Sequence, residues 1–279
     1  MRKLLVAVAV AACFGVVQVS VANAAPCGTL TSSTTLSADC EAPLTIGASG
    51  ISVNLNGHSV VCNSAVDGIV VPSTVSFARV VNGRVVSGSS HCVNGINVGG
   101  DSNRISSIAV HDPNHSGVMV GGSSNRLIHV SADHALVDDG FTVFGSFNVI
   151  GFGKATNNGD EGVGFFTGSD NTIFGSLVAH NGGQGVISGD SRTKIFANRV
   201  SGNNQGIYLS DNSTGSFIFL NAVFGNTTGI EINNTSSSNQ VTANVSLQNG
   251  LDMSDDNANC DANVWFFNLF NTRNQPCIH

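Results

Sequence analysis

A glycine followed by an apolar residue recurs at Gly68, Gly95, Gly117, Gly140, Gly162, Gly185, Gly206, Gly229 and Gly250. After a first gap of 27 residues, the spacings are 22, 23, 22, 23, 21, 23 and 21. The following residues are Ile69, Ile96, Val118, Phe141, Val163, Val186, Ile207, Ile230 and Leu251. Two positions further on come Val71, Val98, Val120, Val143, Phe165, Ser188, Leu209, Ile232 and Met253, with a single polar member. Alternation at period two marks a strand with one buried face. A fixed period of this length marks a stacked array in which each repeat buries its apolar side against the next.

A second track keeps step with the first: Asn103, Asn125, Asn148, Asn171, Thr193, Gly215, Asn239 and Asn263. Two positions after each stands Ile105, Leu127, Ile150, Ile173, Ile195, Phe217, Val241 and Trp265. Each period therefore holds at least two short strands, with asparagine or glycine at the corners. Asparagine tolerates left-handed backbone and bonds local main chain, and stacked asparagines can bond one another. A leucine-rich repeat would show a regular leucine scaffold and a helical side, and neither is visible. The expectation is an all-β fold, a single-stranded right-handed parallel β-helix of about ten coils with 21–24 residues per coil. Its hand follows from the chirality of parallel crossovers.

The N-terminus reads as an export signal over residues 1–24: Arg2 and Lys3, an apolar stretch from Leu4 to Val21, then Ala22-Asn23-Ala24 as a small-x-small cleavage site. Val10-Ala11-Ala12-Cys13 has lipobox character and offers a competing lipid-anchoring cut; cleavage after Ala24 is the preferred reading. The β-helix domain would then span 25–279, with an N-terminal cap and first coil at 25–62 and a C-terminal cap at 252–279. No later segment has the run of apolar residues that a membrane helix needs. Removing Arg2 and Lys3 leaves nine basic against 18 acidic residues, a balance that argues against nucleic acid as a partner. Six cysteines remain, and in an exported chain an even count favours disulfides over metal thiolates. Pairing by proximity gives Cys27–Cys40, Cys62–Cys92 and Cys260–Cys277.

Val53-Asn54-Leu55-Asn56-Gly57-His58 and the ending from Asp255-Asp256-Asn257 through Cys260, Asn263-Val264-Trp265 and Cys277-Ile278 accompany the two tracks. On these motifs the chain resembles the secreted bacterial right-handed β-helix proteins of the pectate-lyase-like superfamily. The resemblance implies architecture. The fold hosts lyases, hydrolases, epimerases and adhesins, so it leaves activity open.

Chemistry is expected on outward positions and corners. Ser116, Asp139, Glu161 and Gln184 stand just before successive strand glycines, and His115, Asp138, Asp160 and Gly183 one step earlier. At the preceding corner Asp112, Asn157 and His180 align, with His134 one position out of step. Close carboxylates separate each other's pKa values and so supply an acid and a base for glycoside chemistry. Asp139 and Glu161 are the expected acid/base pair, with Asp138, Asp160, His115 and His134 in support. The same oxygens of Asp138, Asp139, Asp160 and Glu161 suit Ca²⁺. Asp138-Asp139 is similar to the Asp-Asp pair of polygalacturonase-like hydrolases, although Ser116 and Glu161 replace their further acidic and histidine residues. Asp112-Pro113-Asn114-His115 resembles the Asp-Pro-His-Asp of alginate epimerases with its order broken. Phe144, Phe166, Tyr208 and Lys154 are the candidate polysaccharide contacts, the aromatics for stacking on sugar. Arg104 and Arg126 stack on successive coils and are expected to keep the rod soluble. The competing expectation is a non-catalytic surface or adhesion scaffold in which the acidic residues only cap turns. Asp252, Asp255, Asp256 and Asp261 lack the spacing of a calcium loop and are expected to cap the last coil.

Overall fold

The structure is a computed structural model that describes residues 25–279 except Asp211; the signal and lipobox readings lie outside the described residues. Every named strand pairing is parallel, and the strands fall into three stacks that wrap the chain into a right-handed solenoid of about ten coils. The first face carries the glycine-led strands, such as Val118–Val120, Phe141–Val143 and Val163–Phe165. The second carries Val149–Gly151, Thr172–Phe174 and Lys194–Phe196. The third carries Lys154–Thr156, Leu177–Ala179 and Arg199–Ser201. Longer strands such as Arg126–Asp133 bend through the corner between the second and third faces.

The interior is the apolar column that alternation foretold. Ile96, Val118, Phe141, Val163, Val186, Ile207 and Ile230 are register partners in turn, and all are buried. Glycine before each column is required by close approach. At Gly162 a Cβ would strike Val178 from the third face and come within 2.6 Å of the carbonyl oxygen of Gly185.

All three corners share one device. A residue with positive φ is followed by asparagine, as in Ser124-Asn125, Ala197-Asn198 and His180-Asn181. The asparagine backbone N–H donates to Oδ1 of the asparagine one coil on: Asn125 to Asn148 at 2.9 Å, Asn198 to Asn221 at 3.0 Å, Asn181 to Asn203 at 3.0 Å. The asparagine thus serves as a buried ladder rung, and the left-handed backbone expected of it belongs to its predecessor.

Three register expectations are corrected. Ser216, not Gly215, is the ladder member, receiving the Thr193 N–H at 3.2 Å; Ile218 fills the column and Phe217 takes the outward position opposite Lys194. Gly215 has a φ of 66° and is the left-handed predecessor. In the last coil Met253, not Leu251, partners Ile230, because the buried Asp252 occupies the position opposite Gly229. His134 is in step with Asp112 and Asn157, since Asp133 pairs with both His111 and Thr156. The polar column member Ser188 is buried beside Asp190 and Thr193, and both hydroxyls donate to Asp190 Oδ1.

The disulfides are Cys27–Cys40, Cys62–Cys92 and Cys260–Cys277, as expected from proximity. No helix among the described residues is long and apolar enough to cross a membrane.

Candidate functional site

On the first face, the corner residues that precede strands Val118–Val120, Phe141–Val143 and Val163–Phe165 bring the acidic columns together. Asp138, Asp139, Asp160 and Glu161 line an open cleft of about 410 Å³ with Thr142, Phe144 and Phe166. A second opening of about 280 Å³ adjoins it through the shared Asp138, Thr142 and Phe144, and adds Asn94, His115, Ser116 and Met119. Together they form one groove along the rod.

Asp139 is its buried centre, with 1% of its surface exposed. Its Oδ1 accepts the Glu161 backbone N–H at 3.2 Å, and its Oδ2 lies 2.8 Å from Thr142 Oγ1. Burial, followed by the hydrogen bond and charge of Glu161, pushes the Asp139 carboxyl up to about 9. Asp160, exposed at the rim, is also raised, by partial desolvation and by the charge of Glu161. Beyond Thr142 the chain of contacts continues: Thr142 Oγ1 is 2.7 Å from Ser116 Oγ, which donates to Asp138 Oδ2 at 3.0 Å. With a proton on Asp139, the hydrogens can run in one sense from Asp139 through Thr142 and Ser116 to Asp138.

One oxygen each from Asp139, Asp160 and Glu161 lies within 4.8 Å of the others, an arrangement that could hold one hard cation. Asp138 is not in that group. A cation there would have to displace the proton of Asp139.

Phe144 and Phe166 sit on adjacent coils with ring centroids 5.7 Å apart at 33°, at the border of the carboxylates. Gly164 makes room for them, because a Cβ there would sit inside the Phe166 ring. His115 lines the second opening. Three expected residues stand elsewhere. His134 turns to Asp133, its Nδ1 at 2.9 Å from Oδ2, with His111 at 3.8 Å from the same oxygen. Lys154 is exposed on the third face. Tyr208 shares the first face but lies two coils beyond Gly164, its hydroxyl accepting from Asn233 Nδ2 at 2.8 Å. Thr142 and Gly164 were missed as site residues. Both occupy the outward middle position of a glycine-led strand, which the alternation marks.

A family model described as the right handed beta helix region matches residues 94–246, more than half of the chain. The chain belongs to this right-handed β-helix family. The β-helix protein is similar in structure to the Dettilon tailspike protein, at a TM-score of 0.65 and 14% identity, over 88% of this chain and 54% of the tailspike. It therefore spans about half of that protein's length. It is also similar to a pectate lyase, at a TM-score of 0.64 and 18% identity, over 82% of this chain and 70% of the lyase. The A-module of a mannuronan C-5 epimerase from Azotobacter vinelandii gives a TM-score of 0.57 at 12% identity, over 89% of this chain and 80% of the module. At these identities the likeness is one of fold. No curated protein matches the β-helix protein in sequence.

Proposed function

We propose that this is an exported β-helix enzyme that acts on polysaccharide in the first-face groove, with Asp139 as proton donor and Glu161 as base. The observation that carries the reading is a buried carboxyl, raised to about 9, that touches a second carboxylate inside an open cleft. An acid that keeps its proton at neutral pH can protonate a leaving glycosidic oxygen, and the more exposed Glu161 can activate the attacking group. Phe144 and Phe166 offer an apolar wall for a sugar ring. A pectate lyase and a mannuronan epimerase module on the same fold agree with a polysaccharide partner. Three disulfides agree with an oxidising compartment and hence with the export signal read at residues 1–24.

The test is turnover of pectic, alginate and neutral polysaccharides, with and without Ca²⁺, following unsaturated ends, reducing ends and epimer ratio. Loss of turnover in Asp139→Asn and Glu161→Gln supports the reading and names the reaction class. One observation favours the scaffold alternative. Asp138 and Asp139 already accept hydrogen bonds from the coils on either side, as residues that only tie the corners together would. A broad panel without turnover decides for it.

A further inference from the structure

The second face carries a charge feature that the groove does not use. Arg79, Arg104 and Arg126 are register partners on three consecutive coils, and all are exposed. Partners on adjacent coils lie about 4.8 Å apart, so three arginine side chains leave this face from one line along the rod. Among the described residues, the only arginine paired with a carboxylate is Arg192, with Asp170. Among the described residues, the arginine side chains that hydrogen-bond are those of Arg192 and Arg273. The nearest acidic residue in sequence, Asp101, instead accepts the Ser123 backbone N–H at 2.7 Å. The row is bounded by Ser52 on one side and by Val149 and Thr172 on the other.

Solubility does not explain this placement. A chain of net charge −7 gains solubility from its carboxylates, while unpaired like charges at interstrand spacing repel one another. Guanidinium groups at a fixed repeat, each a planar fork, match carboxylate or sulfate groups carried at a similar repeat. We propose that Arg79, Arg104 and Arg126 form a binding site for a linear anionic glycan, bearing carboxylate or sulfate groups, that lies along the rod axis. This site is on a different face from the groove and does not rest on the catalytic reading.

The experiment measures binding of the full chain to a labelled heparin oligosaccharide and a labelled oligogalacturonate over a range of salt. Binding to at least one is expected, weakening as salt rises. Arg104→Gln/Arg126→Gln should weaken it at least tenfold, and Arg104→Lys/Arg126→Lys should fall between, because charge remains and the fork is lost. Arg199→Gln, which removes an exposed arginine from the third face, should bind as the parent does. Thermal melting of each variant checks that the coils are intact, and Arg79→Gln repeats the comparison at a single position. Absence of binding to both glycans, or equal binding by the glutamine variants, would overturn the proposal. So would tighter binding of a single-stranded DNA oligomer than of either glycan.

Discussion

The hydroxyls of Ser116 and Thr142, from adjacent coils, stand 2.7 Å apart and join two carboxyls that are neighbours in sequence. Asp138 receives the Ser116 hydroxyl at 3.0 Å, and Asp139 faces Thr142 at 2.8 Å. A β-helix makes such a link natural, because each outward position has a partner one interstrand spacing away on either side. The buried end of the link is Asp139, and its raised pKa has measurable consequences.

The first concerns stability against pH. Asp139 moves from an ordinary value of 3.8 to about 9 on folding. Between those values the folded state binds the proton that the unfolded state has released, so stability falls as pH rises through that window. Asp139→Asn keeps the shape and removes the titration. Its melting temperature should match the parent near the lower limit, exceed it increasingly towards the upper one, and show a flatter profile. Parallel profiles for the two proteins would contradict the assignment.

Two glycines separate the roles of groove and core. At Gly164 a Cβ would meet the ring of half-exposed Phe166 and lie 3.3 Å from Asp139 Oδ2. The ring can swing outward, so Gly164→Ala should cost less than about 1 kcal/mol while closing the groove, a pattern of lost turnover with nearly unchanged melting. At Gly162 the obstacle includes the backbone of Gly185, which cannot yield. Gly162→Ala is expected to cost several times more, about 3 kcal/mol, by overpacking a filled core. Calorimetry on the pair checks the contrast.

The same distinction explains what was legible in the sequence. Columns such as Val118–Phe141–Val163 repeat a residue class at fixed spacing, so the architecture and the carboxylate alignment could be read directly. The slips at Phe217 and Met253 came where a polar residue replaced the usual marker: Ser216 for asparagine, Asp252 for glycine. The corner between the second and third faces carries no asparagine in strands such as Arg126–Asp133, so the third face is unmarked there, although Asn198, Asn221 and Asn244 mark it in later coils. The repeat places His134 at the corner before the acidic cluster, whereas its side chain turns to Asp133. Side-chain direction at a corner depends on φ, 58° here, and no spacing reports it.

The asparagine ladders should behave as structural hydrogen bonds rather than as surface polarity. Asn181 Oδ1 receives both the backbone N–H and Nδ2 of Asn158, at 3.1 and 2.9 Å, and the residue is buried. Asn181→Ala leaves those donors unmatched away from water. The expected cost is about 1–3 kcal/mol in denaturant unfolding. An equivalent change at the exposed corner residue Asn157 should cost about 1 kcal/mol, mostly the strain of alanine at a φ of 58°, because the bond its Nδ2 donates to Asp133 at 3.0 Å is open to water.

A buried carboxylate organises the C-terminal end. Asp255 is fully buried, and its oxygens accept from the Asn257 backbone at 3.0 Å, Asn257 Nδ2 at 2.9 Å, Asn263 Nδ2 at 3.2 Å and Trp265 Nε1 at 2.8 Å. It stands where earlier coils place an apolar side chain, opposite Ile232. The apolar column thus gives way to a polar plug at this position. Asp255→Leu restores the apolar residue but leaves the Asn257 backbone N–H and Trp265 Nε1 without an acceptor, while Asn257 Nδ2 and Asn263 Nδ2 keep the Ser236 carbonyl oxygen, a loss of about 2–4 kcal/mol for this cap. Trp265 is the only tryptophan in the chain, so the effect has a local reporter. Its emission should shift to the red, and its quenching by iodide should rise, at denaturant concentrations that leave the parallel-strand circular dichroism unchanged. A single transition seen identically by both probes would mean that the plug is not a separately melting cap, and that the last coil is held by the Cys260–Cys277 bridge and its strand pairing alone.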